Sequence, residues 1–175
     1  MLRMSAGLFN RPVLSLRDDR PIATAVQPII NPHNLKILGW WCQGSGGQAV
    51  LLSDNVREVA PAGLIVNNEE DLSSPNELAR HKEILDVRFE LMGKLVKTKR
   101  YKIGKISDYS YNDGLFVQKL YVTKSLMKVF SKEDTVIIDR TQILEVTDHF
   151  ILVKDTEIKV EQEETATAEV AVPAS

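Results

Sequence analysis

The sequence has a single cysteine, Cys42, which removes two ways of holding a small fold together. No internal disulfide can form, and no thiolate cluster can grip a metal. Long apolar runs are missing too: none approaches the roughly 20 residues that a membrane-spanning helix needs. Met1 to Phe9 carry one arginine and no sustained apolar core, so they lack the form of a signal peptide. Neither sign of charge dominates. The formal net charge is −2, which gives the whole molecule no drive toward nucleic acid or acidic membranes. Together these absences set the expectation of a soluble cytoplasmic protein. What is present is a globular composition, 43% apolar and 26% charged over 175 residues, enough for one ordinary domain or two small ones.

The small net charge hides an uneven distribution. Residues 91–155 hold 12 basic and 8 acidic side chains, whereas residues 156–175 hold 1 and 5. The first 70 residues are balanced at 6 and 6. The later part of the chain is therefore mildly basic and its end acidic.

The most informative pattern is a repeat. Arg11 to Cys42 returns, with substitutions, at Lys94 to Val122. Val13 matches Val96, Ile22-Ala23-Thr24 matches Ile103-Gly104-Lys105, and Leu35 to Cys42 matches Leu115 to Val122 without a gap. Further on, Val56 to Val59 and Leu64 to Val66 match Ile143 to Val146 and Ile151 to Val153, with four residues between the members of each pair. Matched positions lie 81 apart at Ile22 and 87 apart at Val59, so the second copy carries a net insertion of six residues. Lys124 to Glu133 is where it fits, with Ser125 to Phe130 as a short helical turn.

Within each copy the segments are short and extended, separated by turn chemistry, which predicts strands. Val13 to Leu16 closes on Asp18-Asp19, and Asn31-Pro32-His33-Asn34 precedes a strand over Leu35 to Cys42. Pro28 fits a bulge or an edge. Gly44-Ser45-Gly46-Gly47 is expected to be a flexible connection, and Asn112-Asp113-Gly114 a hairpin turn. Between the copies, Ser74-Pro75-Asn76-Glu77 has the form of a helix start. It predicts a helix from Pro75 to about Asp86, with Leu78, Ala79, Ile84 and Leu85 as its apolar stripe, packed on one barrel, bridging both, or binding a partner. The tail is poor in large apolar residues and is expected to be disordered. The division that follows is a first unit over 1–67, a helical linker over 68–90, a second unit over 91–155 and an acidic tail over 156–175. Units of this size suit closure into barrels that lean on each other.

Val13 to Leu16, Asp18-Asp19, Ile22-Ala23-Thr24, Pro28 to Pro32 and the strand through Trp41 together resemble a PRC-barrel domain. The second copy is closer to that pattern, with Gly93 to Val96, Ile103-Gly104-Lys105-Ile106, Ser107-Asp108 and Val136 to Asp139. The first copy departs from it at Ala23, in place of glycine, and at Gln27, in place of aspartate. The likeness covers about residues 7–66 and 91–154. It implies an all-β fold with a linker helix, built as two tandem small PRC-like β-barrels. It also implies a prokaryotic, non-catalytic module without a cofactor. Barrels of this family occur in ribosome-maturation factors, where the barrel contacts a small-subunit ribosomal protein, and in the photosynthetic reaction-centre H subunit. A protein partner, a ribosomal protein or RNA is the expectation. A structural or membrane-peripheral adaptor, for example in cell division, is the alternative.

Catalytic chemistry finds little support. His33, His81 and His149 share no metal-ligand spacing and suit surface positions. Cys42, in an apolar strand, reads as an inert buried thiol. The acids Asp18-Asp19 and Glu69-Glu70-Asp71 are adjacent without being placed in contrasting environments, and the glycine loop lacks the lysine of a phosphate loop. Two features suit an interaction surface. Lys94, Lys97, Lys99, Arg100, Lys102 and Lys105 put six cations in twelve residues around Tyr101, a pattern that suits RNA phosphates with one stacking ring. The same pattern also suits a solvated strand face protected from aggregation, and Asp108 and Asp113 follow closely. Trp40 and Trp41 must point to opposite sides of one strand. One fills a barrel, and the other faces the helix, the sister barrel or a partner.

Overall fold

Alternation of apolar and polar residues converts the repeat into two sheets whose inner faces meet. The computed structural model describes residues 1–124 and 135–155. The expected turn at Ser125 to Phe130 and the acidic tail lie outside the described residues. The first sheet contains β2 (Arg11–Ser15), β3 (Arg20–Ile30), β4 (Ile37–Gly44), β5 (Gly47–Leu52), β6 (Glu58–Ala60), β7 (Gly63–Val66) and β8 (Leu72–Ser73). The second contains β1 (Arg3–Met4), β9 (Leu95–Lys97), β10 (Lys102–Tyr111), β11 (Val117–Thr123), β12 (Thr135–Asp139), β13 (Ile143–Val146) and β14 (Phe150–Val153). The fold is all-β with a linker helix and two barrel-like units.

The sheets repeat each other over six strands, with β8 added at the edge of the first and β1 beside β10 in the second. One runs β6-β7-β2-β3-β4-β5 and the other β13-β14-β9-β10-β11-β12. In both, a parallel pair sits beside antiparallel ones, with Val13 opposite Leu64 and Val96 opposite Ile151. Both long central strands shift register at matched places, between Ala25 and Gln27 and between Ile106 and Asp108. Such bulges bend the strand and let the sheet curl. Pro28 lies just past the first bulge, opposite Trp40 of β4 and beyond the reach of β2, so the β2 ladder loses no donor. Backbone signs repeat as well: Asn10 and Gly93 precede the matched first strands with φ of 51° and 76°.

One difference between the copies has a steric cause. A methyl group built on Gly104 would lie 2.1 Å from the carbonyl oxygen of Thr123 on β11. Ala23, at the matched position, faces Gly44 across the ladder, and a methyl on Gly44 would sit 3.6 Å from the Ala23 methyl. The first copy leaves room at this corner for a methyl on either strand, and the second does not.

Among the described strands neither sheet closes on itself through hydrogen bonds, so the expected closed barrels are curled, open sheets. Burial explains why closure is unnecessary. A single apolar cluster runs through both inner faces, with Val13, Trp40, Leu51 and Leu64 on one side and Val96, Leu120, Ile138 and Ile151 on the other. Each unit supplies the surface that covers the other. The backbone joins them reciprocally. Leu35 and Leu115, both in the left-handed region at φ 54° and 61°, accept hydrogen bonds from Val117 (3.0 Å) and Ile37 (2.8 Å). The expected strand over Leu35 to Cys42 therefore starts two residues late, because Leu35 belongs to this junction. Further contact comes from the amino-terminal end: Arg3 and Met4 of β1 pair with Tyr111 and Ser110 of the second sheet.

Two local expectations are corrected. Gly44 to Gly47 is a tight hairpin, with Gly44 paired directly to Gly47, which takes φ 101°. The long linker helix is broken into two 3-10 turns, Pro75–Glu77 and Ala79–His81, followed by one short helix, α1 (Lys82–Val87). Its start signal works as read, since the Glu77 carboxylate accepts a hydrogen bond from the Ser74 N–H at 3.1 Å. The helix cannot continue because Leu78 adopts φ −98°, ψ 53°, outside the helical region. A short helix depends on packing more than propensity, and the packing here is local. Leu85 is buried with Ile29, Trp41 and Val50 on the outer face of the first sheet, and Leu78 and Ile84 pack around them.

Candidate nucleic-acid interface

The cationic stretch folds as the β9–β10 hairpin. Its turn is built by Thr98, whose hydroxyl oxygen accepts hydrogen bonds from the N–H groups of Arg100 (3.1 Å) and Tyr101 (3.2 Å). Inward positions Val96 and Ile103 enter the core, which leaves the intervening cations on the outer face. Lys99, Arg100, Tyr101, Lys102 and Lys105 are exposed, with Tyr101 at 48%. Lys97 faces Lys102 directly across the ladder. Like charges so placed repel, and Lys97 is steadied by the ring of Phe150, 3.7 Å from its ammonium.

At the other end of β9 the strip opens into a groove of about 560 Å3, bordered by Arg88, Glu90, Lys94, Lys105, Asp148 and His149. The Lys94 ammonium lies 4.5 Å above the Phe89 ring and donates to the carbonyl oxygen of Asp148. Burial holds its pKa below the ordinary lysine value, partly opposed by the charges of Asp148 and Glu90. Aromatic seating fixes these ammonium groups without neutralising them. Arg100 alone of the hairpin cations makes an ion pair among the described residues, at 2.9 Å to Asp155.

The two acids that follow the strip are engaged elsewhere. Asp108 accepts hydrogen bonds from the Ser5 hydroxyl and from the Tyr109 N–H. Asp113 pairs with Arg3 at 3.3 Å. Both contacts hold the amino-terminal segment against the far end of β10. Neither acid pairs with a hairpin cation, whereas Glu90 and Asp148 act on Lys94 and Asp155 pairs with Arg100. No family model and no curated protein matches this chain.

The tryptophans take one of the arrangements open to them, one in the core and the other against the linker. Trp40 is fully buried in the shared core, and Trp41 is 6% exposed beneath α1, with the Arg88 guanidinium 4.7 Å from its ring. Neither ring is offered to a partner, because the linker supplies the cover for the outward one. Tyr121, at the position matching Trp41, is half-buried on the second sheet. The histidines are apart from one another: His33 and His149 are exposed in turns and His81 is half-buried in the linker. Among the described residues no three His, Cys, Asp or Glu side chains gather in a metal-sized group. No helix among them is long and apolar enough to cross a membrane.

Phe89 and Phe150, which seat two of the lysines, had no signal in the sequence. Neither did Ser5, which engages Asp108. The Phe150 and Ser5 contacts join segments far apart in the chain, and Phe89, five residues before Lys94, lies just outside the strip.

Proposed function

We propose that this chain is a non-catalytic PRC-barrel interaction module that works in ribosome maturation or RNA processing. In this reading its contact surface is the outer face of the β9–β10 hairpin, and its ligand is single-stranded RNA. The observation that carries it is the exposed set Lys99, Arg100, Lys102 and Lys105 around the exposed Tyr101, with Asp108 and Asp113 turned to other partners. Cations would track the phosphates while the tyrosine ring stacks a base. The repeat in the sequence, mirrored in the strand order of the two sheets, supports a tandem module.

The test is binding of a labelled oligouridine by fluorescence anisotropy over a range of salt concentrations. Replacing Lys99, Lys102 and Lys105 with Glu should weaken binding at every salt concentration. It should also reduce the slope of log K against log[salt] by about 2, since each lost phosphate contact on a single strand contributes roughly 0.7. Unchanged affinity and slope in the variant, or no binding by the native protein at low salt, would overturn the RNA reading and favour a protein-recruited adaptor.

A further inference from the structure

The two copies differ at one sheet edge. In the first, β5 carries a further strand on its outer side: β8 pairs with it, Leu72 opposite Leu51 and Ser73 opposite Val50. In the second, β12 is the strand that corresponds to β5. The neighbours agree, since Trp40 and Trp41 face Leu51 and Val50, while Leu120 and Tyr121, which match them, face Ile138 and Ile137. A 3-10 turn follows each strand, Ser53–Asn55 after β5 and Arg140–Gln142 after β12. Yet among the described residues β12 is paired on one side only. The outer side of an edge strand invites another strand, and the first copy meets that demand from within the chain.

The second copy has the means to do the same. The first leaves β7 past the tip of the β2–β3 hairpin, where the Arg17 N–H donates to the Asn67 carbonyl oxygen at 3.0 Å, and then reaches β8 at Leu72. The second leaves β14 past the tip of the β9–β10 hairpin, where Arg100 pairs with Asp155 at 2.9 Å. Beyond that point the sequence reads Thr156-Glu157-Ile158-Lys159-Val160-Glu161, in which charged and apolar residues alternate with the period of a strand. Strict use of the repeat offset of 87 puts Lys159 where Leu72 packs on the core, opposite Ile138. One residue earlier Ile158 takes that place, and Val160 then falls opposite Val136. Val136 and Ile138 are 0% and 1% exposed and belong to the inner face, so this register sets apolar beside apolar. It also brings Glu157 opposite Asp139, which is unfavourable. The Asp139 carboxylate is already engaged by the Thr141 N–H and hydroxyl at 3.0 and 2.8 Å, so the pairing starts at Ile158.

We propose that residues 158–160 pair antiparallel with the outer edge of β12, as β8 pairs with β5, with Ile158 opposite Ile138 and Val160 opposite Val136. The docking site is the β12 edge, and its occupant is this chain's own segment. Occupied in this way, the edge is closed to strands of other chains, and the acidic end of the sequence is anchored beside the second sheet. The pairing does not depend on the RNA reading.

The experiment is solution NMR on the isotope-labelled full chain. Extended-strand Cα and Cβ shifts are expected for 158–160, with backbone NOEs joining Ile158 to Ile138 and Val160 to Val136. Ile158→Asp combined with Val160→Asp should abolish those NOEs and lower the thermal midpoint by roughly 4–10 °C. Glu157→Gln combined with Glu161→Gln should leave both in place. Coil shifts for 158–160 without NOEs to β12 would overturn the proposal. So would NOEs that put residues 125–134 on that edge, or a Lys159 contact with Ile138 in place of Ile158. NOEs between β12 and a second copy, read in a mixture of labelled and unlabelled chains, would overturn it in favour of pairing between molecules.

Discussion

Replacing Gly104 with Ala tests the packing of the second sheet in a way that propensity cannot mimic. In an unobstructed strand the change would help, because alanine loses less backbone entropy than glycine on folding, by roughly 0.5–1 kcal/mol. Here the added methyl would lie 2.1 Å from the Thr123 carbonyl oxygen and 2.8 Å from its carbonyl carbon. Those atoms are main chain in β11, which is held in register with both β10 and β12, so they cannot swing aside as a side chain would. Overpacking of this kind costs about 1–3 kcal/mol and exceeds the entropic gain. A net loss of about 1–2 kcal/mol corresponds to a fall of roughly 2–8 °C in the thermal midpoint for a chain of this length. Gly44→Ala is the matched control. Its methyl would meet Ile22 and Ala23 at 3.4 and 3.6 Å, an ordinary contact, so the change should be close to neutral. Urea and thermal unfolding of both variants give the two values directly. Equal midpoints for Gly104→Ala and Gly44→Ala would refute the account of why the second copy needs glycine at position 104.

Two other outcomes follow from burial. Leu85→Ala should cost about 2–4 kcal/mol, because Leu85 is 6% exposed against Ile29, Trp41 and Val50. The tryptophan fluorescence should shift to the red as α1 loosens over Trp41, and an unchanged spectrum would show that the helix is not its cover. For Cys42, burial raises the thiol pKa from 9.0 to about 12, against a smaller opposing effect of a backbone hydrogen bond at Leu51. The folded state therefore keeps a proton that the unfolded state releases. This contribution is fully present below pH 9 and is lost as the pH rises toward 12, so stability falls through that window. Unfolding measured against pH should show a shallower decline in Cys42→Ala than in the native protein, and native Cys42 should resist thiol reagents at pH 8. Parallel pH profiles would count against the assignment.

What the sequence made legible was whatever repeats or alternates. The matched strands and the bulge beside Pro28 follow from side-chain period and turn chemistry within one copy, whereas the parallel pairing of β2 with β7 and of β9 with β14 had no such signal. What it hid were relations between copies. Leu35 looked like the first residue of a strand because its apolar side chain fits one, yet its carbonyl serves the junction with Leu115 and Val117. Leu78 belongs to an apolar stripe with helical spacing, and tertiary packing overrode that spacing. The sequence left the outward tryptophan open to the helix, the sister barrel or a partner; the cover of Trp41 comes from Leu85 and Arg88, more than forty residues on. The basic strip was plain to see, whereas the contacts of Asp108 with Ser5, of Asp113 with Arg3 and of Arg100 with Asp155 depend on segments distant in the chain.

The pairing of Arg3 and Met4 with Ser110 and Tyr111 sets a timetable for synthesis. A ribosome adding 5–20 residues per second needs roughly 5–20 s to go from the one segment to the other. During that interval the first sheet can assemble from its own strands, because β2 through β8 are all complete by Ser73. Its inner face must wait uncovered, and so must the leading segment, until β10 emerges. The nascent chain thus carries an open apolar face for longest at the surface that later becomes the shared core. That exposed half is where a chaperone would bind first, and where two unfinished chains would join if the second repeat were delayed.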